Sequence, residues 1–239
     1  MENDHSSDYI FKAYVVNTAA YDAGDREASG AWLYFPTYGE AINEVMEQIG
    51  LPAGAPPGKY FIDDYVCRID GMKPVLPMYC DFGELAMLAQ GLSDLSLEDR
   101  DLLAAVQESP YRLTTLEQFR EFPHNTEFFT LEPSIKRLDD LGWSYVAQHM
   151  DILLTPPLLD AIDPVPFGKH AMEEDKGCLT NYGYLAPPGD EWQHEQDARP
   201  AKKQAEKKPS IMERLEQSKK ECAGQNKAQP HRGKSAPEL

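Results

Sequence analysis

Residues Tyr60 to Asp70 read YFIDDYVCRID, and the housing of the two adjacent aspartates decides how this part of the chain folds. The aromatic and β-branched residues on either side favour a half-buried strand, whereas Asp disfavours one. Side chains alternate across a strand, so Asp63 and Asp64 point to opposite faces of a regular one. At least one belongs at a sheet edge, a strand end or a solvated surface. The pattern predicts that one aspartate joins an acidic surface and that the other bonds locally.

Upstream, Tyr9 to Asn17 (YIFKAYVVN) has the composition of a strand, and Ala31 to Phe35 that of a second, shorter one. A polar, Gly-containing turn region, Asp22 to Gly30, joins them. Thr37 to Glu40 has capping-box spacing and predicts a helix to about Ile49, with Ala41, Ile42, Val45, Met46 and Ile49 on one face. Gly50 to Gly58 (GLPAGAPPG) ends that helix in a loop. With the Tyr60 strand, these segments make a small α+β unit of antiparallel strands over residues 9–73.

Downstream the pattern becomes helical. Asp81 to Leu92, Ser96 to Glu108, and a second capping-box match at Thr115 to Gln118 predict three helices. A short strand at Phe128 to Leu131 and an amphipathic helix over Pro133 to Met150 complete a mainly helical segment, 74–150. Four prolines between Pro156 and Pro166 argue against a long helix there. One or two helical turns over Phe167 to Asp175 and a strand over Cys178 to Leu185 form a third segment, 151–190. The expected class is α+β, elongated, with three small domains. Residues 1–8 and a basic tail, 191–239, have the composition of disordered chain, save a short helix near 210–221.

The net charge of −17 is unevenly distributed. Residues 1–198 hold 12 Lys and Arg against 35 Asp and Glu, a balance of −23, while residues 199–239 hold 11 against 5, a balance of +6. So acidic a body repels phosphate, which argues against direct nucleic-acid binding, and it suits a strongly basic partner. No run of 18 apolar residues exists, so no membrane span is expected. The polar N-terminus does not resemble a leader, and four dispersed cysteines point to reduced thiols in a cytoplasmic protein.

Chemistry is hard to find. The six histidines have no metal-ligand spacing, and neither a phosphate-binding glycine loop nor a nucleophile elbow is present. Adjacent carboxylates abound, but in a chain this acidic they usually form a solvated face. No enzyme, cofactor or metal is expected. Carboxylates at Asp63, Asp64, Asp70, Asp81, Glu84, Asp94, Glu98, Asp99, Asp101, Glu108, Glu117, Glu121, Asp139, Asp140 and Asp151 are candidates for one acidic surface. Helical residues four apart rise about 6 Å, and phosphates along one DNA strand about 3.4 Å. Adjacent acidic helices therefore approximate phosphate charge density. The same composition suits a halophilic or merely very soluble protein, and composition alone does not choose.

The ordered series YIFKAYVVN, AWLYFP, a helix with Ile42 and Met46, and YFIDDYVCRI resembles the start of the ArdA antirestriction proteins. The resemblance continues through Asp81 to Glu121 and at Lys176 to Leu185, KGCLTNYGYL, which is similar to a GxxTxxGY-like strand near that family's end; it covers about residues 9–190. It implies a DNA mimic of mobile elements, dimeric and without cofactor, that occupies the DNA-binding groove in the methyltransferase core of type I restriction–modification enzymes. The Pro- and Gly-rich loop at 50–58 and the basic tail depart from that pattern. The alternative is a non-catalytic regulatory protein of a mobile element that binds another basic partner through the 210–221 segment.

Overall fold

The computed structural model describes residues 9–25, 30–149, 157, 160–187 and 191–194; the 210–221 segment and Asp151 lie outside them. The fold is α+β with small antiparallel sheets. Strand β1 (Phe11–Asn17) is central in the first sheet, with β2 (Gly30–Phe35) and β3 (Tyr60–Cys67) antiparallel on either side. Between β1 and β2 lies a one-turn helix that the strand-and-turn reading did not contain, α1 (Thr18–Asp22). Asn17 caps it by accepting from the Ala19 and Ala20 N–H groups.

The Asp63–Asp64 pair is housed by a β-bulge. Tyr14 pairs with Asp64 but Val15 with Ile62, so Asp63 is the extra residue. The bulge resets the alternation, so that Ile62 and Tyr65, three residues apart, are both buried. On the buried face Phe11 stacks on Phe35 with centroids 4.9 Å apart, and Tyr60 stacks on Phe82 at 4.5 Å. The hydroxyl of Tyr65 donates to the Pro77 carbonyl at 2.7 Å.

Helix α2 (Gly39–Gln48) covers this core with Val45 and Met46. Its predicted capping box does not form. Tyr38 is the N-cap, extended at φ −118° and ψ 163° and without a side-chain cap. The helix therefore starts a residue late, and Glu40 falls one position short of reaching back. Helix α3 (Phe82–Ser93) is capped by Asp81 and α4 (Leu97–Glu108) by Ser96, while α5 (Leu116–Glu121) has the full capping box that Thr115 and Gln118 predict. One hydrophobic cluster runs from Phe11 through these helices to Leu185.

The second sheet has the order β4 (Thr130–Glu132), β6 (Gly183–Ala186), β5 (Cys178–Thr180). The single strand expected over Cys178 to Leu185 is thus a hairpin. Asn181 and Tyr182 form its two-residue turn, and Thr180 Oγ1 donates to the Gly183 carbonyl at 2.9 Å. Helix α6 (Leu138–His149) begins later than Pro133, where the Asp140 carboxylate accepts from the Lys136 and Arg137 N–H groups. Helix α7 (Val165–Asp175) is longer than the one or two turns expected. Pro164 and Pro166 open it, at positions where the missing N–H has no helical partner to lose.

Helices α6 and α7 cross at two glycines. A Cβ on Gly142 would lie 1.9 Å from the Pro164 carbonyl oxygen, and one on Gly168 would lie 2.1 Å from that of Leu138. The backbones are therefore nearly in contact. Gly168→Ala is expected to destabilise the protein by about 1–3 kcal/mol, through forced separation of the helices. Gly39→Ala, at a site with nothing within 4 Å, should be neutral or slightly stabilising. Urea unfolding of the two variants checks the contrast.

Candidate functional site

The expected acidic surface holds carboxylates that face solvent and carboxylates that hold the fold, and Asp81 and Glu108 do both. Asp63, Asp70, Asp81, Glu84, Asp94, Glu98, Asp101, Glu108 and Glu117 are exposed, and Asp64, Asp99, Asp139 and Asp140 are half-buried. Asp64, opposite Tyr14 in the bulge, pairs with Lys73 Nζ at 2.7 Å and accepts from the Tyr65 N–H at 2.8 Å. The local bonding expected of one aspartate in the pair is therefore found at Asp64, with Asp63 left to solvent. Asp81 and Asp99 serve helix starts. Asp81 accepts from the Gly83 N–H at 2.6 Å, and Asp99 accepts from the Ser96 hydroxyl at 2.7 Å. Asp139 pairs with Arg137 at 2.7 Å.

Glu121 does not belong to any surface. It is 1% exposed, between the buried Phe119 and Phe122, and its carboxylate accepts from the indole N–H of Trp192 at 2.7 Å. The Trp192 ring also meets Phe128 edge-on at 5.3 Å, and Gln193 exchanges bonds with the Asn125 side chain. This attachment corrects the placing of Glu121. It also ties Trp192 and Gln193, read from composition as tail, to the body.

A row that sequence reasoning missed lies on α2. Glu40, Glu44 and Glu47 are all exposed, at spacings of four and three residues, opposite Val45 and Met46. They rise about 6 and 4.5 Å along the helix axis. The signal was available, because the apolar face of this helix was read correctly and its reverse carries the three glutamates. Like charges so spaced cost each pair about 0.2–0.5 kcal/mol, and Glu47 sits unfavourably in the last turn of the helix dipole. Glu84 on α3, Asp94 at its C-terminal cap, where it accepts from the Gln90 amide at 2.7 Å, and Glu98 and Asp101 on α4 continue the exposed acidity, interrupted by the exposed Met87 and Leu97.

Nothing in this arrangement prepares a reaction at Cys67, Cys80 or Cys178, all of which are free thiols. Burial pushes Cys67 and Cys80 up to about 11 and raises Cys178 as well, so these thiols stay protonated at neutral pH. Among the described residues, no three His, Cys, Asp or Glu side chains converge as metal ligands. No helix among them is long and apolar enough to cross a membrane. A cleft of about 800 Å³ beside α6 holds Ser144, Tyr145 and His149, where the His149 ring stacks on Tyr145 at 4.0 Å. The Ser144 hydroxyl accepts from the Gln148 side-chain amide at 3.2 Å.

The described residues thus present exposed rows of carboxylates, beside thiols that burial raises. The chain matches the family model described as antirestriction protein (ArdA) over residues 13–186 and belongs to that family. Membership implies an antirestriction function. Comparison with curated proteins returns no match.

The acidic groups also make stability depend on pH. The Asn181 side chain and backbone N–H groups, both 2.9 Å away, hold the Glu108 carboxyl below its ordinary range. Lys73, chiefly by its hydrogen bond, does the same for Asp64. A depressed carboxyl contributes stability above its unfolded value and loses it as pH falls through the folded one. Melting temperature is expected to fall on acidification below about pH 4.5, and less so in Glu108→Gln. Thermal melts across that range check both the sign and the residue.

Proposed function

We propose that this chain is a B-DNA mimic that occupies the DNA-binding groove of type I restriction–modification enzymes, as a stoichiometric inhibitor and not as an enzyme. The observation that carries the reading is the set of exposed carboxylates on α2, α3 and α4 and at the C-terminal cap of α3, of which Glu44, Glu47 and Asp101 lie outside the helix starts. Glu40, Glu44 and Glu47 on α2, Glu84 on α3, Asp94 at its C-terminal cap, and Glu98 and Asp101 on α4 all face solvent. The charge of −23 on residues 1–198 supplies the field.

Spacings of about 4.5–6 Å along a helix allow carboxylates from neighbouring helices to meet Lys and Arg side chains placed for phosphates. Asp63, Asp70 and Glu117 extend the proposed surface. Asp64, Asp99, Asp139 and Asp140 contribute charge but are held by local bonds, and Glu121 contributes nothing to the surface. No cofactor is required, because the inhibitor competes by charge alone. A cytoplasmic homodimer is the proposed working form, since a second copy doubles the charged length presented to the groove.

The protein is expected to displace duplex DNA from a type I methyltransferase core, with affinity that weakens steeply as salt rises. Glu44→Gln combined with Glu47→Gln should bind more weakly while melting at the same or a higher temperature, because it relieves like-charge repulsion. Competition titrations and thermal melts read the two effects. A ternary complex of enzyme, DNA and this protein would refute the mimicry.

A further inference from the structure

The outward face of the first sheet, where Asp64 opposite Tyr14 is paired with Lys73, is otherwise unlike the rest of the acidic body. The β1–β2 register puts Tyr14 opposite Trp32 and Lys12 opposite Tyr34. The rings of Tyr14 and Trp32 lie 5.1 Å apart, and those of Tyr9 and Tyr34 lie 5.4 Å apart. The Lys12 ammonium sits 4.5 Å from the Trp32 ring centre and 5.6 Å from that of Tyr34, and the Arg68 guanidinium is 4.2 Å from the Tyr9 ring. Tyr14 lies close over Gly30, where a Cβ would come within 2.5 Å of the ring. The result is an aromatic slab whose four rings are each half-exposed.

Two of the twelve cations in residues 1–198 are stacked on this slab. A basic groove would repel them, so the slab is not part of a phosphate-mimicking surface. Its composition of Trp, Tyr and Arg is that of energetic centres in protein–protein contacts. Cation–π pairing also holds Lys12 in place, so a partner carboxylate meets an ammonium already positioned.

We propose that this aromatic and cationic sheet face is a second contact surface, which docks on an acidic, partly apolar patch of the target enzyme outside its DNA groove. The inference rests on the mimic reading. It assigns the complex two contacts of opposite polarity, a salt-sensitive one through the helical carboxylates and a less salt-sensitive one through the slab.

Charge reversal separates the two contacts. Lys12→Glu makes the chain more acidic, so groove occupancy alone predicts unchanged or tighter binding. Docking through the slab predicts binding weaker by about tenfold, with a smaller loss of the same sign in Lys12→Gln, the gentler substitution for the fold. The experiment is calorimetric titration of the full chain and both variants into a type I methyltransferase core, with melting curves and solution mass as controls. Weakened binding with unchanged melting and mass supports the inference. Equal or tighter binding overturns it and leaves the mimicry intact. A changed mass assigns the face to a second copy of this chain and also overturns it. If the wild-type chain does not bind the core at all, the mimic reading fails and the docking inference falls with it.

Discussion

The bulge that absorbs Asp63 in β3 sets the geometry of the N-terminal sheet. By adding one residue opposite the Tyr14–Val15 step, it lets Tyr60, Ile62 and Tyr65 all reach the core, where regular alternation would have turned Tyr65 to solvent. Tyr65 then bonds the Pro77 carbonyl and Tyr60 stacks on Phe82. These contacts fix where α3 crosses the sheet, and with it the exposed acids that α3 carries. The same bulge leaves Asp63 to solvent and brings Asp64 to Lys73. A single inserted residue thus reconciles an apolar strand with two adjacent charges.

The elements with strong local signals were legible in the sequence. The three strands of the first sheet follow from their aromatic and β-branched composition, and the Ser96 cap and the Thr115–Gln118 box from capping chemistry. What was not legible depends on distant partners. The place of Glu121 in the core is decided by Trp192, seventy-one residues away, and nothing adjacent to Glu121 announces it. The start of α7 was misread because prolines were taken as breakers when they sit where a helix tolerates them. The hairpin at Asn181 was misread because its three-residue strand β5 is too short to show a period.

The acidic site was read from the sequence as a set, and the structure sorts its members by occupation. Carboxylates at helix starts, such as Asp81 and Asp99, stabilise the fold and need no partner to explain them. Two of those on α2 do the opposite, because Glu44 and Glu47 repel one another and Glu47 opposes the helix dipole, whereas Glu40 sits favourably in the first turn. Acidity that works against local stability supports the proposed binding surface. It accords with membership of an antirestriction family, and with the proposal that charge, not chemistry, inhibits the target.

The most direct measurement of that proposal is the structure of the complex between this protein and a type I methyltransferase core, compared with the same core on DNA. Mimicry predicts that Glu40, Glu44, Glu47 and the exposed acids of α3 and α4 contact the Lys and Arg side chains that otherwise hold DNA phosphates. Binding wholly outside the groove, with those side chains untouched, would contradict it.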